Sequence, residues 1–521
     1  MSLNRVIRNL FVPASLLTAL FVLGCSDAAT DDGSDPDNGG YTGGGKAEAW
    51  DDANAPAVFG LSSLKLKQIQ EETALRGYLA EKPWADTYWP LNKKGVSDRW
   101  NGSNNFETFE AQRDDAIAAL GGETYESTWK LSPAEKYDIL VGDTSYALTK
   151  DGWDVFDSYK DYEYSWSWMG HCHGWAPAAY LEQTPKASVM ATIDGKQMLF
   201  TEGDIRGLLT KAHATNNTTG GTRFLGTRCN ARTIIKDENG RIVDGTVYAA
   251  KEDAPKAADT ATASTIFIDR NFWGSHHVLT YTDAIDSKDI KVMQATASAD
   301  EPKGAFVVNI YASIADYQSQ TVEKESIFLY NKECRDTNAG TFHLVLVQYL
   351  SDQNAAEDKR GFVMDVTRED QVWNQPAYGF ESTITAVENV AEIEDPLAAF
   401  RAEGTVQIAR VESKVSYGLE RGPYVDYTEE NGSNITSKTY KYSLEIDADG
   451  YVIGGEWDVS SGYGGSSAPD FLWAPQGSLT NSDKINYSEI SKIHQCSLEI
   501  DRAKNVTLPD GKEIQVVDCE L

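Results

Sequence analysis

Residues 169–176 read Met-Gly-His-Cys-His-Gly-Trp-Ala and place one cysteine between two histidines. Pro177 follows, and proline is tolerated in the first turn of a helix, where its missing N–H is not needed. The segment therefore predicts a helix that begins near Trp175 and ends near residue 183, with Cys172 in the preceding loop. A thiol there is expected to be reactive, because a protonated imidazole or a helix N-terminus lowers a thiol pKa. A disulfide partner or a core cysteine is the alternative.

The length and net charge of the chain limit its domain number and its possible partners. At 521 residues the chain exceeds the size at which one hydrophobic core stops growing, so two or three domains are expected. The formal net charge of −32 argues against a nucleic-acid partner, because phosphate contacts need clustered Lys and Arg.

The N-terminus has the features of an export signal. Arg5 and Arg8 precede an apolar run, residues 10–23, that is too short to span a membrane comfortably. The run ends in Val-Leu-Gly-Cys, which resembles a bacterial lipobox, so residues 1–25 are expected to be a lipoprotein signal peptide with Cys25 as the lipid-bearing residue. The protein would then be lipid-anchored in the bacterial cell envelope, at the outer membrane or cell surface. An ordinary secretory signal, giving a secreted protein, is the alternative.

Behind that signal, residues 26–47 form an acidic, Gly-rich stretch that predicts a disordered tether. Four cysteines remain besides Cys25 and Cys172. In an exported protein they suggest two disulfides, for which three pairings exist. Cys496 and Cys519 close a short loop and form the favoured local pair, which leaves Cys229 with Cys334.

The folded part is expected to be an α+β protein in three segments. Residues 48–149 form a helical N-terminal region, with a removable prosegment as one interpretation; residues 150–385 form the catalytic core, and residues 386–521 a β-rich region. Hydrophobic periodicity predicts helices at 61–82, 107–120 and 132–140, the last with a capping box made by Ser132 and Glu135. Strands are predicted at 264–270, 276–282, 304–312, 342–350 and 361–367, and a hairpin turn at 447–450.

A cysteine nucleophile needs a base and a group that orients the base. His343 lies in an apolar run, residues 341–347, and Asp365 in a second run, residues 361–366. If both runs are strands joined by a turn near Asn354, His343 and Asp365 face each other about 5 Å apart. A structural His–Asp pair is the alternative interpretation. His171 and His173 are the less favoured bases, because neighbours on an extended loop point apart.

Metal binding is the weaker interpretation of two further patterns. His276 and His277, together with His171 and His173, suggest zinc, but adjacent histidines rarely face one metal and no acidic residue joins them at helical spacing, which disfavours a zinc site. Residues 445–450, with Glu456 beyond them, loosely match the spacing of a calcium loop, but their strand-like flanks favour a hairpin turn.

Several motifs together resemble a known family. Residues 370–380 include Val-Trp-Asn-Gln-Pro and a following Gly-Phe, as in the elicitor peptide of the oomycete secreted transglutaminases. Residues 361–368, 341–343 and 170–176 are also similar to that family, and weaker likeness extends the resemblance over about 80–475. It implies a papain-like or transglutaminase-like core and a calcium-stimulated protein-glutamine γ-glutamyltransferase in which Cys172, His343 and Asp365 are the catalytic residues.

In the mechanism that this resemblance implies, Cys172 forms a thioester with a protein glutamine, and a lysine or other primary amine then takes the acyl group. The substrates are proteins that bear glutamine and lysine. No cofactor is required for the chemistry, and calcium is expected from the resemblance only. Trp166 or Trp168 is a candidate donor to the oxyanion, while His171, His173 and Trp175 are expected to shape the site. The alternatives are a papain-like peptidase, a protein deamidase using the same residues, and a non-catalytic surface binding protein.

Overall fold

A computed structural model describes more than half of the chain and defines its architecture. The described residues are 53–100, 106–122, 124–160, 167–226, 337–354, 359–366, 372–395, 401–428, 432–457 and 468–520, together with the backbone of short strands between 235 and 329. The predicted signal peptide, Cys25, the tether, Trp166, His276, Cys229 with Cys334, and the strand at 264–270 lie outside them.

The described helices occur in three parts of the chain. They are α1 (Leu66–Ile69), α2 (Phe109–Ala119), α3 (Pro133–Leu140), α4 (Ala147–Tyr159), α5 (Cys172–Leu181), α6 (Glu202–Thr215), α7 (Ala339–Val345) and α8 (Tyr487–Ser497). A π-helical turn, Leu346–Leu350, continues α7 directly. Within the described residues, no helix is both long enough and apolar enough to cross a membrane.

The described strands are numbered in chain order. They are β1 (Arg76–Tyr78), β2 (Ser188–Ile193), β3 (Lys196–Phe200), β4 (Thr222–Gly226), β5 (Ile235–Lys236), β6 (Ile242–Asp244), β7 (His277–Thr282), β8 (Ile290–Ala297), β9 (Ala305–Tyr311), β10 (Lys324–Leu329), β11 (Val363–Asp365), β12 (Asn374–Asn389), β13 (Gln407–Gly418), β14 (Ile435–Ile446), β15 (Val452–Trp457), β16 (Phe471–Pro475), β17 (Lys504–Thr507) and β18 (Glu513–Glu520).

The largest sheet among these strands positions the site. Its strand order is β15-β14-β13-β12-β11-β16-β4, and β1 pairs antiparallel with β12. Strands from all three predicted segments therefore share one sheet. Two smaller sheets have the orders β17-β18-β2-β3 and β10-β9-β8-β7. The fold is thus mixed helix and sheet, as the sequence predicts.

Two hydrophobic cores cover opposite faces of the sheet at β11. Val363 packs with Trp175 and other residues of α5 and α6, whereas its neighbour Met364 packs with Phe342 and Leu344 of α7. Successive side chains of a strand point to opposite faces. Strand β11 therefore separates α5 from α7.

Several local predictions are confirmed. Helices α2 and α3 match the predicted spans, and Ser132 and Glu135 form the capping box: the Glu135 N–H donates to Ser132 Oγ and the Ser132 N–H to Glu135. The predicted hairpin joins β14 and β15. Strands β7, β9 and β11 lie within the predicted spans. These signals are local, so they survive folding unchanged.

Two helix predictions are wrong. The span 61–82 contains only the short helix α1, and it then runs into β1, where Arg76 pairs with Glu381 of β12. Pairing with the long strand β12 overrides a weak helical periodicity. The other wrong prediction concerns the start of α5, which begins at Cys172 and not near Trp175, so Pro177 lies inside the helix. Proline at that position forgoes one backbone hydrogen bond, and the buried packing of α5 compensates for the loss.

The strand predicted at 342–350 is also wrong, because these residues form α7 and the π-helical turn. Each residue from 341 to 347 is buried. A short apolar run that is buried on all sides reads the same in a helix and in a strand, so periodicity does not distinguish them.

Candidate active site

Cys172 is the first residue of α5. The helix starts here because the His171 carbonyl accepts hydrogen bonds from the N–H groups of Gly174 and Trp175. A Cβ on Gly174 would lie 2.1 Å from the Thr210 carbonyl oxygen of α6, so only glycine permits this close packing. The sequence around Cys172 thus fixes both the start of α5 and its contact with α6.

The thiol of Cys172 contacts the start of β12. The side-chain Nδ2 of Asn374 donates to Cys172 Sγ across 3.5 Å, and the Asn374 backbone N–H also donates to it. Cys172 Sγ lies 3.9 Å from the carbonyl oxygen of Val372. Among the described residues no imidazole lies within hydrogen-bonding distance of Sγ. The immediate partner of the thiol is therefore an amide.

The amide of Asn374 is itself held in place. Its Oδ1 accepts a hydrogen bond of 2.7 Å from the indole Nε1 of Trp473 on β16. Trp473 pairs with Val363 of β11, and Asp365 of β11 pairs with Asn374. The three antiparallel strands β16, β11 and β12 thereby place the indole, the amide and the thiol in one row.

Asp365 lies on the same face of the sheet as Asn374. Its Oδ1 accepts a hydrogen bond of 2.8 Å from the backbone N–H of Trp373. Its carboxylate is close enough to Cys172 to affect the thiol electrostatically. The structure therefore brings together two of the three predicted catalytic residues, Cys172 and Asp365.

His343 is not with them. It lies on α7, fully buried in the core on the other face of β11, and its Nδ1 is 2.7 Å from the hydroxyl of Tyr442. Its Nε2 has no hydrogen-bond partner within the part of the chain that the structure describes. Asp365 pairs with Asn374, so the predicted hairpin that sets His343 opposite Asp365 is wrong. The cause is the helical conformation of residues 339–345, which places His343 on the face of β11 opposite Cys172.

The resting thiol is protonated at neutral pH. Burial raises the pKa of Cys172 to about 11; the two donors of Asn374 lower it, and the carboxylates of Glu420 and Asp365 raise it again. The expectation that the flanking histidines lower this pKa is wrong, because neither imidazole contacts Sγ. Burial and two nearby carboxylates both favour the neutral form of a thiol.

His171 and His173 flank the thiol but serve other contacts. His171 Nε2 lies 3.4 Å from Lys211 Nζ, which forms a 2.8 Å ion pair with Asp151. Burial, and then the Lys211 charge, hold the pKa of His171 well below its usual value, and burial lowers that of His173 to about 4. Both imidazoles are neutral at pH 7, so they shape the site without charging it.

Aromatic rings border the approach to the thiol. Tyr88 and Trp373 pack edge to face with ring centroids 5.4 Å apart, and the Tyr88 hydroxyl donates to the Ser167 carbonyl oxygen at 2.8 Å. Trp168 is half-buried nearby in the chain. Trp175 is fully buried, and its indole donates to the Trp84 carbonyl oxygen, so it packs α5 against the irregular segment that follows β1. Its role is structural support of the site.

The remaining sequence predictions concern a disulfide and the candidate metal-binding residues. Cys496 and Cys519 form a disulfide that joins α8 to β18. In the segment that loosely matches a calcium loop, Glu445 accepts from the Ala402 N–H, and Asp447 accepts from the Asp449 N–H within the β14–β15 turn, as the favoured hairpin interpretation expects. Within the described residues, no three His, Cys, Asp or Glu side chains come together so that they could hold a metal ion.

Sequence reasoning missed Asn374, Trp473 and Glu420. Asn374 and the half-buried Trp373 belong to the Val-Trp-Asn-Gln-Pro run, which the sequence identifies only as a family signature. A polar amide at the start of a buried strand calls for a partner, and that signal was available. Nothing local links residue 172 with residues 374, 420 and 473.

The class of protein follows from the comparison with known families. A family model described as transglutaminase elicitor matches residues 162–253 and 280–500, which is more than half of the chain. The chain belongs to the transglutaminase elicitor family, as the motifs predict. Among solved structures it is similar to the GP42 transglutaminase from Phytophthora sojae, with 18% identity over 86% of this chain and 98% of that chain and a TM-score of 0.47. No curated protein matches the chain significantly.

Proposed function

We propose that the protein is a protein-glutamine γ-glutamyltransferase with Cys172 as its nucleophile. The observation that carries the proposal is the position of Cys172 at the N-terminus of α5, with its Sγ against the Asn374 amide and near Asp365. Membership of the transglutaminase elicitor family supports acyl transfer to protein substrates. A cysteine on a helix N-terminus that faces an antiparallel sheet also supports a papain-like core.

The reaction has two acyl-transfer steps. The sulfur of Cys172 attacks the carboxamide carbon of a substrate glutamine, the C–N bond breaks, and the thiol proton leaves with the nitrogen as ammonia. A lysine amine then attacks the thioester, the C–S bond breaks, and the amine proton returns to the sulfur. The products are an isopeptide bond and the free thiol.

Both steps need a proton acceptor near Sγ. The sequence predicts His343, but that imidazole bonds to Tyr442 and has no contact with Cys172 among the described residues. Asp365 lies on the correct face, and its Oδ1 holds the backbone of Trp373. We therefore expect Asp365 to support the segment over the thiol, and we expect transfer to survive the loss of His343.

The site favours an amine over water as the second substrate. Tyr88 lies within electrostatic reach of Cys172 and packs its ring against Trp373, and Cys172 itself is only 6% exposed. An apolar approach that excludes water protects a thioester from hydrolysis. Calcium stimulation and lipid anchoring through Cys25 in the bacterial envelope belong to the same proposal, and no step of the mechanism is routed through calcium.

The test is incorporation of a labelled primary amine into a glutamine-containing protein, with parallel measurement of ammonia. Incorporation by the wild type and none by Cys172→Ala supports the proposal. Ammonia release without incorporation identifies a deamidase, and cleavage of the peptide chain identifies a peptidase. No turnover by a folded protein, together with a thiol that iodoacetamide does not label, identifies a binding protein. Repeating the assay in calcium and in EDTA tests calcium dependence.

A further inference from the structure

We propose that Asn374 is a catalytic residue that stabilises negative charge at Cys172, and that Trp473 is the positioning residue that sets the direction of its amide. The same N–H groups would serve the thiolate and then the oxyanion formed at the attacked carboxamide. The oxyanion part rests on the proposed function. The thiolate part does not, because it concerns the sulfur alone.

The orientation of the Asn374 amide is unambiguous. An indole N–H only donates, so the atom 2.7 Å from Trp473 Nε1 must be the amide oxygen. The amide nitrogen then faces Cys172 Sγ, where it lies at 3.5 Å. The opposite rotamer would set two donors against each other at Trp473 and a lone pair against the sulfur. Trp473 thus makes the amide a fixed donor to the sulfur.

The charge balance of the site makes that donor necessary. The carboxylates of Asp365 and Glu420 lie near the sulfur and oppose its ionisation, and burial opposes it too. Among the described residues, the donors that favour the thiolate are the side chain and the backbone N–H of Asn374. Hydrogen bonds to the charged form are the contacts that stabilise a buried anion.

The geometry suits the oxyanion as well. The oxygen of an attacked carboxamide develops its charge beside Sγ, within reach of a donor that is already 3.5 Å from the sulfur. The backbone N–H of Cys172 is in the first turn of α5, where N–H groups have no partner inside the helix. Together they form a two-donor arrangement, and removal of one such donor typically lowers kcat by about 10²–10³.

Asn374→Leu tests the proposal, because leucine keeps the side-chain volume, removes the amide donor and introduces no charge. The rate of iodoacetamide alkylation of Cys172 is measured from pH 6 to pH 12. We expect the thiol pKa to rise by about one unit, which lowers the alkylation rate about tenfold below the pKa. Trp473→Phe should move the pKa in the same direction by less. In amine transfer we expect kcat to fall about 10²-fold with little change in KM.

Matched controls separate this role from simple destabilisation. Asn216→Leu removes an equally buried amide, which donates to the Ile485 carbonyl oxygen away from the thiol. Trp457→Phe removes an indole donor to the Thr337 carbonyl oxygen in the other core. Neither should move the pKa of Cys172.

An unchanged thiol pKa in both Asn374→Leu and Trp473→Phe overturns the proposal. If Asn374→Leu does not fold, the Trp473→Phe profile decides alone. A shifted pKa in a protein whose wild type transfers no acyl group keeps the thiolate part and rejects the proposed function, so the two failures are distinguishable.

Discussion

Replacing His343 with glutamine should flatten the acid dependence of stability and leave acyl transfer intact. The imidazole is fully buried on α7, and burial lowers its pKa from 6.5 to about 3. The folded state therefore binds this proton less readily than the unfolded state. The stability that follows from the neutral ring is complete above pH 6.5 and is lost as the pH falls towards 3.

The size of the effect follows from the shift. A pKa shift from 6.5 to about 3 lowers the free energy of unfolding by about 5 kcal/mol once the ring is protonated in both states. About 3 kcal/mol of that stability is lost by pH 4. At pH 7, His343→Gln should cost only about 1–2 kcal/mol, because one hydrogen bond to Tyr442 changes partner. The gap between wild type and variant should therefore close or reverse at pH 4.

Guanidinium unfolding at pH 7, 6, 5 and 4 measures this gap. Carboxylates titrate in the same range, but they do so equally in both proteins, so the difference isolates His343. Tyr442→Phe is the control: it keeps the buried imidazole and should keep the wild-type slope. Parallel loss of stability in wild type and His343→Gln would refute the reasoning. Complete loss of amine transfer at pH 7 in a folded His343→Gln protein would restore His343 as the base.

Three further outcomes are expected. Glu420→Gln should lower the pKa of Cys172, because the Glu420 carboxylate raises that pKa, and alkylation at pH 8 should become roughly 2–5-fold faster. Slower alkylation would contradict the role given to Glu420. Gly174→Ala should cost about 1–3 kcal/mol, read as a lower Tm with lost transfer, because the new methyl meets a carbonyl of α6; an unchanged Tm would count against that packing. Replacing Cys496 and Cys519 together by serine should cost about 3 kcal/mol in denaturant unfolding, and an equal midpoint would exclude the disulfide from stabilisation.

Part of the site could be inferred from sequence because its signal is local. The candidate nucleophile can be inferred from its own neighbours: Cys172 begins α5, and two residues later comes Gly174, whose close packing on α6 only glycine permits. Asp365 was identified because a carboxylate within an apolar strand needs a partner. In the described part of the chain, one group that it accepts from is the Trp373 backbone N–H.

The sequence alone determined the family, the helix around Cys172, the capping box at Ser132 and the β14–β15 hairpin, because each depends on residues close together in the chain. Only the tertiary structure decided which groups meet the thiol. It made residues 339–345 a helix on the far face of β11, and the pairing of β16, β11 and β12 delivered Trp473 and Asn374 to Cys172. The sequence of an apolar run does not determine which face of the sheet it will cover, since its conformation depends on the surfaces that bury it.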